Sequence, residues 1–227
     1  MHAPVKLYLA SSNPGKLDEF RALAEWARLA TPLGGGGASA ADTNLSEIDF
    51  AVVPGFTAMP EFEENAPTFG ENALGKALHY SQLWAQSGTL EQNTLVFADD
   101  SGLVVPALGG EPGVKSARYA GPHATSQQRN EKLLTELRGK SGDDRAAHFV
   151  CVIALVSARG AEAIVSARAD GSILEAPIGS GGFGYDPVFY FTELNKSFAE
   201  LTREEKNHRS HRGKALRRLL ALIPKLT

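Results

Sequence analysis

The sequence predicts an α/β fold in which helices flank a central mixed β-sheet. Strand-like apolar runs are interspersed with helical patterns, several helices begin with capping sequences, and the two element types do not alternate strictly. No period repeats along the 227 residues. The irregular order favours a mixed sheet over a doubly wound one. With 43% apolar residues the chain can bury a substantial core, and we expect one domain of two lobes, residues 1–227.

A strand, a tight turn and a helix open the chain. Residues 5–9 alternate in the manner of a strand. Asn13 can cap the following helix, with Pro14 in its first position and apolar residues at helical spacing from Leu17 onward. Residues 34–46 are rich in glycine and small polar residues, and we expect a flexible insertion there.

Three further helices begin with capping residues. They are a helix capped by Thr68 with Glu71 and ending at Gly88, one capped by Thr125 with Gln128 and ending at Gly139, and one capped by Ser210 and ending near Pro224. Residues 94–98 are predicted to form a strand, and residues 148–157 and 162–168 a pair of strands joined by a turn.

Composition and charge exclude several classes of protein. The formal net charge of -3 disfavours a general nucleic-acid-binding protein. Cys151, the single cysteine, lies in an apolar run, which indicates a core residue in a reducing compartment rather than a disulfide or a nucleophile. No membrane-length apolar segment and no signal peptide is recognisable, so we expect a cytoplasmic protein without membrane or nucleic-acid partners.

The pattern richest in chemical information is a pair of adjacent carboxylates, Asp99 and Asp100, after the predicted strand. We predict a turn at the Ser-Gly pair 101–102 that follows them. A bound cation or a shared proton relieves the repulsion between adjacent carboxylates, so the pair indicates a metal or acid/base site. A solvated turn is the alternative. Glu63 and Glu64 precede a capped helix and could supply further oxygen ligands to magnesium.

Basic side chains also occur in the first turns of two predicted helices, where the helix dipole disfavours cations. Lys16 lies in the first turn of its predicted helix, and His211 and Arg212 directly follow the cap Ser210. Cations in these places suggest an anionic or accepting ligand, although solvated side chains are the alternative.

A glycine-rich segment, residues 179–187, contains two aromatic rings. Phe183 and Tyr185 can stack on a flat base, and Asp186 beside them can accept a hydrogen bond from a purine ring N–H. A glycine-rich hairpin whose rings fill the core is the alternative interpretation.

Four segments in order, residues 11–16, 98–121, 181–187 and 201–213, resemble the inosine triphosphate pyrophosphatase family. The resemblance spans roughly Lys6 to Leu222. It implies a two-lobed α/β fold with a nucleotide cleft between the lobes, a homodimer and Mg²⁺ as cofactor. It further implies hydrolysis of ITP, dITP, XTP and dXTP to the nucleoside monophosphate and pyrophosphate. The family most often begins with Thr-Gly-Asn where this chain has Ser-Ser-Asn, and the insertion 34–46 is larger than usual.

The resemblance also implies roles for individual residues. Asp100 would activate the attacking water and serve the metal with Glu64, while Asp99 would support them. Asn13 and Lys16 would hold the triphosphate, with Lys76 a further candidate. Phe183 would stack on the base, whose edge Asp186, Lys206, His211 and Arg212 would line. The whole implied substrate-binding set is Ser11, Ser12, Asn13, Pro14, Gly15, Lys16, Lys76, Ser101, Phe183, Gly184, Tyr185, Asp186, Lys206, His211 and Arg212.

Specificity follows from hydrogen-bond chemistry. Arg212 only donates, which suits the 6-oxo group of hypoxanthine or xanthine, whereas adenine presents an amino donor there and ATP should be rejected. A pyrophosphatase for pyrimidine triphosphates is one alternative. Another is a nucleotide sensor or RNA-binding module that uses Phe183 and Tyr185 without turnover, but the carboxylates at 64, 99 and 100 argue against it.

Overall fold

Within the described residues, seven strands form one mixed sheet in the order β2-β1-β3-β4-β5-β6-β7. The computed structural model describes residues 5–11, 14–29, 48–91 and 94–223. The strands are β1 (Val5–Leu9), β2 (Ile48–Val52), β3 (Leu95–Val104), β4 (Ala146–Ser157), β5 (Gly160–Ile173), β6 (Phe189–Phe191) and β7 (Lys196–Ser197). β1 pairs in parallel with β2 and β3, whereas β6 pairs antiparallel with β5 and β7. The predicted α/β fold with a mixed sheet is confirmed.

The helices are α1 (Pro14–Leu29), α2 (Phe69–Gln86), α3 (Ser126–Glu136), α4 (Arg203–Arg209) and α5 (His211–Leu220). The three predicted caps in the described part of the chain are confirmed. The hydroxyls of Thr68, Thr125 and Ser210 accept from backbone N–H groups in the first turns of α2, α3 and α5. The predicted cap Asn13 and the insertion 34–46 lie outside the described residues.

The predicted turn at residues 101–102 is wrong, because β3 continues to Val104. Leu103 and Val105 are both fully buried, so burial of apolar side chains outweighs the turn preference of the Ser-Gly pair. The chain turns only at Pro106–Leu108, followed by Gly109 with a φ of 67°. Asp99 and Asp100 therefore lie within a buried strand rather than at its solvated end.

The paired strands are also longer than predicted. β4 and β5 leave only residues 158–159 between them, and β5 continues five residues beyond its predicted end at 168. Cys151 is buried in β4, as its apolar neighbours predict. None of the described helices is long and apolar enough to cross a membrane.

Contacts divide the chain into two compact units. The first comprises Met1–Asp100, Val152–Ser166 and Ala215–Thr227. Within it the rings of Phe20 and Phe50 pack edge-on against Phe97, at centroid distances of 5.1 and 5.7 Å. Trp84 packs edge-on against Tyr8 and donates its indole N–H to Thr89 over 2.9 Å.

The second unit comprises Ser101–Cys151 and Ala167–Lys214. Its core consists of apolar side chains from β3, α3, β4, β5 and the segment 185–198. Buried Arg145 donates to four backbone carbonyls, at residues 137, 140, 173 and 174, and so holds the end of α3 to the end of β5. That residues 1–227 form a single domain stays a prediction.

Candidate functional site

Strand β3 carries the two adjacent carboxylates to different helices of the first unit. β1 lies between β2 and β3, so the connections through α1 and α2 run in opposite directions across the sheet. Right-handed crossovers then place α1 and α2 on opposite faces. Adjacent strand residues point to opposite faces, so Asp99 meets α1 and Asp100 meets α2.

Six side chains form what we call the carboxylate cluster: Lys16, Glu64, Asn72, Lys76, Asp99 and Asp100. The Lys16 ammonium lies 2.8 Å from Asp99, whose carboxylate is fully buried. The Asn72 amide donates to Asp100 over 2.9 Å. Lys76 forms an ion pair with Glu64. Asn72 and Lys76 stand one turn apart on α2 and therefore face the strand together.

Burial governs the protonation of Asp100. The pKa of this carboxyl is raised from its usual 3.8 to about 6; burial is the largest cause, and the charges of Glu64 and Asp99 act in the same direction. The Asn72 hydrogen bond and the charge of Lys76 act in the opposite direction. Burial alone would lower the pKa of Lys76, but the carboxylates of Asp99 and Glu64 raise it, so Lys76 is a permanent cation. The cluster thus contains one carboxyl that can exchange a proton near neutral pH.

Carboxylate oxygens have the chemistry that a hard divalent cation requires. Within the described residues, however, no three acidic, histidine or cysteine side chains are placed to hold a metal ion together. Asp99 and Glu64 each contact a lysine instead. The carboxylates can therefore supply one or two ligands, which is what Mg²⁺ takes from proteins when phosphate oxygens supply others.

A second group of predicted residues, in the second unit, forms what we call the ring cluster: Phe183, Asp186, Lys206 and Arg212. The ring of Phe183 is 60% exposed, although it is large and apolar. The Lys206 ammonium lies 4.9 Å from its centroid and the Arg212 guanidinium 5.8 Å. This arrangement offers a flat apolar surface beside two hydrogen-bond donors.

Asp186 holds the loop that carries this ring. Its buried carboxylate accepts from the Phe183 backbone N–H over 2.7 Å and from Lys206 over 2.5 Å. Gly182, with a φ of 72°, packs so closely on this carboxylate that a side chain there would collide with it. The glycines of this segment thus permit tight packing of the backbone.

Tyr185 and His211 lie in the interior of the second unit. The Tyr185 ring is 4% exposed and its hydroxyl donates to the Ser116 carbonyl over 2.9 Å, while burial raises its pKa above the usual value. The His211 ring stacks on Phe149 at a centroid distance of 4.7 Å. Of the two rings predicted to stack on a base, only Phe183 presents an exposed face.

The remaining residues of the predicted site belong to neither cluster. Pro14 and Gly15 begin α1, Ser101 is half-buried within β3, Ser11 follows β1, and Gly184 follows Phe183. Ser12 and Asn13 lie outside the described residues. Glu63 is exposed and accepts from the side chain of Asn65, so it is not part of the carboxylate cluster.

Sequence reasoning missed the role of Asn72, although a signal was present. Asn72 and Lys76 share one face of α2 with the buried residues Ala73, Ala77 and Tyr80. A polar pair one turn apart on a buried face indicates a polar partner inside the protein.

These features define an α/β protein with a buried cluster of carboxylates and lysines and a separately built ring cluster. The sequence profile of the Ham1 family matches residues 7–222. The chain belongs to that family.

Similar proteins cover nearly the whole chain. A protein of Thermus thermophilus, named dITP/XTP pyrophosphatase, is 45% identical over 216 residues, which are 95% of this chain and 90% of that protein. One of the same name from Desulforamulus reducens is 40% identical over 222 residues, 98% and 97% of the two chains. The solved structure of a HAM1 protein from Coxiella burnetii has a TM-score of 0.75 and 37% identity, covering 97% of this chain and 99% of that chain. A Ham1 protein from Staphylococcus aureus has a TM-score of 0.75 and 32% identity, covering 98% and 100%.

Proposed function

We propose that this protein hydrolyses non-standard purine nucleoside triphosphates, ITP, dITP, XTP and dXTP, to the nucleoside monophosphate and pyrophosphate. The observation that carries the proposal is the carboxylate cluster, in which a carboxyl with a raised pKa is accompanied by two lysine–carboxylate ion pairs. The name of the relatives from T. thermophilus and D. reducens agrees with this activity.

Asp100 acts as the general base. Its carboxylate accepts a proton from water as the water oxygen forms a bond to the α-phosphorus. The bond from that phosphorus to the α–β bridging oxygen breaks, pyrophosphate leaves, and Asp100 returns the proton to solvent. The bond from Asn72 holds the Asp100 carboxylate in a fixed orientation. A pKa of about 6 keeps most of this group ionised at neutral pH while leaving it more basic than an ordinary aspartate.

Lys16 and Lys76 bind the triphosphate. Both lie within the carboxylate cluster, and transfer at phosphorus depends mostly on neutralising negative charge and on alignment. Because each lysine contacts a carboxylate here, phosphate binding requires that these cations be shared with the nucleotide. Asn13, in the turn predicted before α1, is proposed to bind the triphosphate together with these two lysines.

Mg²⁺ is the proposed cofactor. It would be held by Glu64 and Asp100 with Asp99 in support, and it would supply charge neutralisation on the phosphate oxygens. Among the described residues no three acidic side chains are placed to hold a metal ion together, so we propose that phosphate oxygens would complete the metal's ligands. Binding of Mn²⁺, followed by its electron paramagnetic resonance, should then be weak alone and strengthened by pyrophosphate. Equal binding with and without pyrophosphate would contradict this arrangement.

The ring cluster recognises the base. Phe183 stacks on it, and Arg212 and Lys206 donate toward the 6-oxo group of hypoxanthine or xanthine. Adenine has an amino group in that place, which leaves donors unpaired and rejects ATP. Asp186 contributes by holding Phe183 and Lys206, since both bonds end on its carboxylate.

The protein is proposed to act as a cytoplasmic homodimer on free nucleotides. Sedimentation equilibrium checks the dimer: a mass of one chain at micromolar concentration would contradict it.

Pyrophosphate release from a panel of triphosphates with Mg²⁺ tests the proposed function. We expect turnover of ITP, dITP and XTP, little of ATP, and none after chelation of the metal until Mg²⁺ is restored. Preference for UTP or dTTP would instead support a pyrimidine pyrophosphatase. Binding of ITP without release would support a nucleotide sensor.

A further inference from the structure

We propose that Asn130, on helix α3, is a positioning residue that sets the orientation of Phe183 and thereby the affinity for the base. It rests on the proposed function, because it concerns the ring that stacks on the base. Asn130 donates from its side-chain amide to the Gly184 carbonyl over 3.1 Å, one residue after Phe183. Asn130 is 6% exposed, so the proposed role is exerted through the loop rather than by contact with the nucleotide.

Backbone hydrogen bonds and the side chains of Asn130, Tyr185 and Asp186 together hold the segment around Phe183. Gly184 accepts from Asn130, Tyr185 donates to the Ser116 carbonyl, and Asp186 accepts from the Phe183 N–H. Gly184 has a φ of 62°, a left-handed conformation that fixes the direction of the chain next to the exposed ring. Asn130 holds this turn from helix α3 through a direct bond to its backbone.

Two of these contacts also serve the core. The Tyr185 ring belongs to the apolar core of the second unit, and Asp186 anchors Lys206. Removing either side chain would alter stability and geometry together. Asn130 is different, because within the part of the chain that the structure describes only its amide nitrogen forms a hydrogen bond.

Burying the Asn130 side chain costs free energy that its hydrogen bond to Gly184 only partly offsets. The residue is 6% exposed, and its side-chain oxygen is buried with no hydrogen-bond partner among the described residues. It shares the buried face of α3 with Leu133, where an apolar residue would leave no unsatisfied oxygen. A buried amide with an unsatisfied acceptor destabilises a fold. We therefore explain the presence of a buried asparagine at position 130 by the conformation that its hydrogen bond imposes on Gly184.

The test compares Asn130→Ala with Gln127→Ala. Gln127 lies on the exposed side of α3 and donates to Glu131, so its replacement removes an amide hydrogen bond from the same helix without touching the loop. Alanine is a strong helix former and should leave α3 intact in both variants. Asn130→Leu, which refills the volume, serves if alanine leaves a destabilising cavity.

Calorimetry of IMP and of pyrophosphate provides the readout. For Asn130→Ala we expect IMP affinity to fall about three- to tenfold, the loss of one hydrogen bond, with pyrophosphate affinity unchanged. KM for ITP should rise by the same factor at constant kcat, since binding that is uniform along the reaction is lost. Gln127→Ala should change neither affinity.

Two results would overturn the role of Asn130. They are an unchanged IMP affinity, or an equal loss of IMP and pyrophosphate affinity, which a merely structural residue would cause. A wild-type protein that neither binds IMP nor hydrolyses ITP overturns the proposed function as well. That outcome is visible before any variant is made, so the two failures are distinguishable.

Discussion

The carboxylate cluster and the ring cluster use charged side chains in different ways. In the carboxylate cluster the charges contact one another: Lys16 meets Asp99, and Lys76 meets Glu64. In the ring cluster the buried carboxylate of Asp186 accepts from a backbone N–H and from a lysine, and only a ring is exposed. The carboxylate cluster has the groups for acid/base chemistry, whereas the ring cluster presents the exposed aromatic face of Phe183.

This difference teaches how a charged residue in a motif should be interpreted. Asp100 and Asp186 are both buried aspartates next to aromatic or apolar segments. Asp100 has its pKa raised toward neutrality by burial and by other carboxylates. Asp186 is held between a backbone N–H and an ammonium, which is a structural use of the same side chain. Replacements in the two clusters should therefore change different quantities.

The largest expected effect is that of Asp100→Asn. Asparagine can still accept from Asn72 but cannot take a proton, so pyrophosphate release should fall about 10²- to 10⁴-fold. ITP binding should persist. Calorimetry with ITP and a pyrophosphate-release assay measure the two quantities, with Asp143→Asn, an exposed aspartate, as the control. Unchanged release would remove Asp100 from its catalytic role.

Phe183→Ala should have the next largest effect, and on binding. Loss of one stacked base contact predicts a KM for ITP that is about 5- to 100-fold higher, with kcat nearly preserved. Thermal stability should hardly change, because the ring is mostly exposed. Phe183→Tyr keeps a stacking ring and should retain the KM of the wild type. If both variants bind ITP equally well, the ring does not stack on the base.

The pH profile should show the raised pKa of Asp100. A base must be ionised, so kcat/KM should fall about tenfold per unit as the pH decreases below about 6. The same shift makes the folded state bind this proton more tightly, so its stabilising contribution is present at low pH and is lost as pH rises through that value. Asn72→Leu removes a hydrogen bond that lowers the pKa and should move the acid limb to higher pH. A flat profile between pH 5 and 7 would contradict the assignment.

Tyr185→Phe should have the smallest effect. The variant keeps the buried ring and loses only the hydroxyl bond to the Ser116 carbonyl, about 1 kcal/mol of the free energy of unfolding. Denaturant unfolding measures this change. A loss of activity as large as that of Phe183→Ala would show that Tyr185 contributes to base binding directly.

The sequence predicts the fold well where interactions between neighbouring residues determine the local structure. The caps Thr68, Thr125 and Ser210 act locally, and each was correctly placed from its own neighbours. The turn at 101–102 failed because the burial of Leu103 and Val105, a property of the whole unit, outweighs a local preference. Short strands such as β6 and β7 have too few residues for a periodic pattern.

The candidate site was predictable as a set of residues and not as a set of contacts. Lys16 and Asp99 are 83 residues apart in the chain, so no sequence spacing reveals that they form an ion pair. Likewise, the pattern around Phe183 leaves open which ring is exposed, since Phe183 and Tyr185 are chemically similar. Only packing against the core separates them.

The location of the tryptophans has a practical consequence. Trp26 and Trp84 both belong to the first unit, and the second contains tyrosines only, at positions 119, 185 and 190. Indole fluorescence therefore reports on the first unit, whereas tyrosine absorbance reports on both units, because Tyr8 and Tyr80 belong to the first. Denaturation monitored at the two wavelengths will show whether the halves melt together or in succession, because coincident transitions are the signature of a single cooperative event.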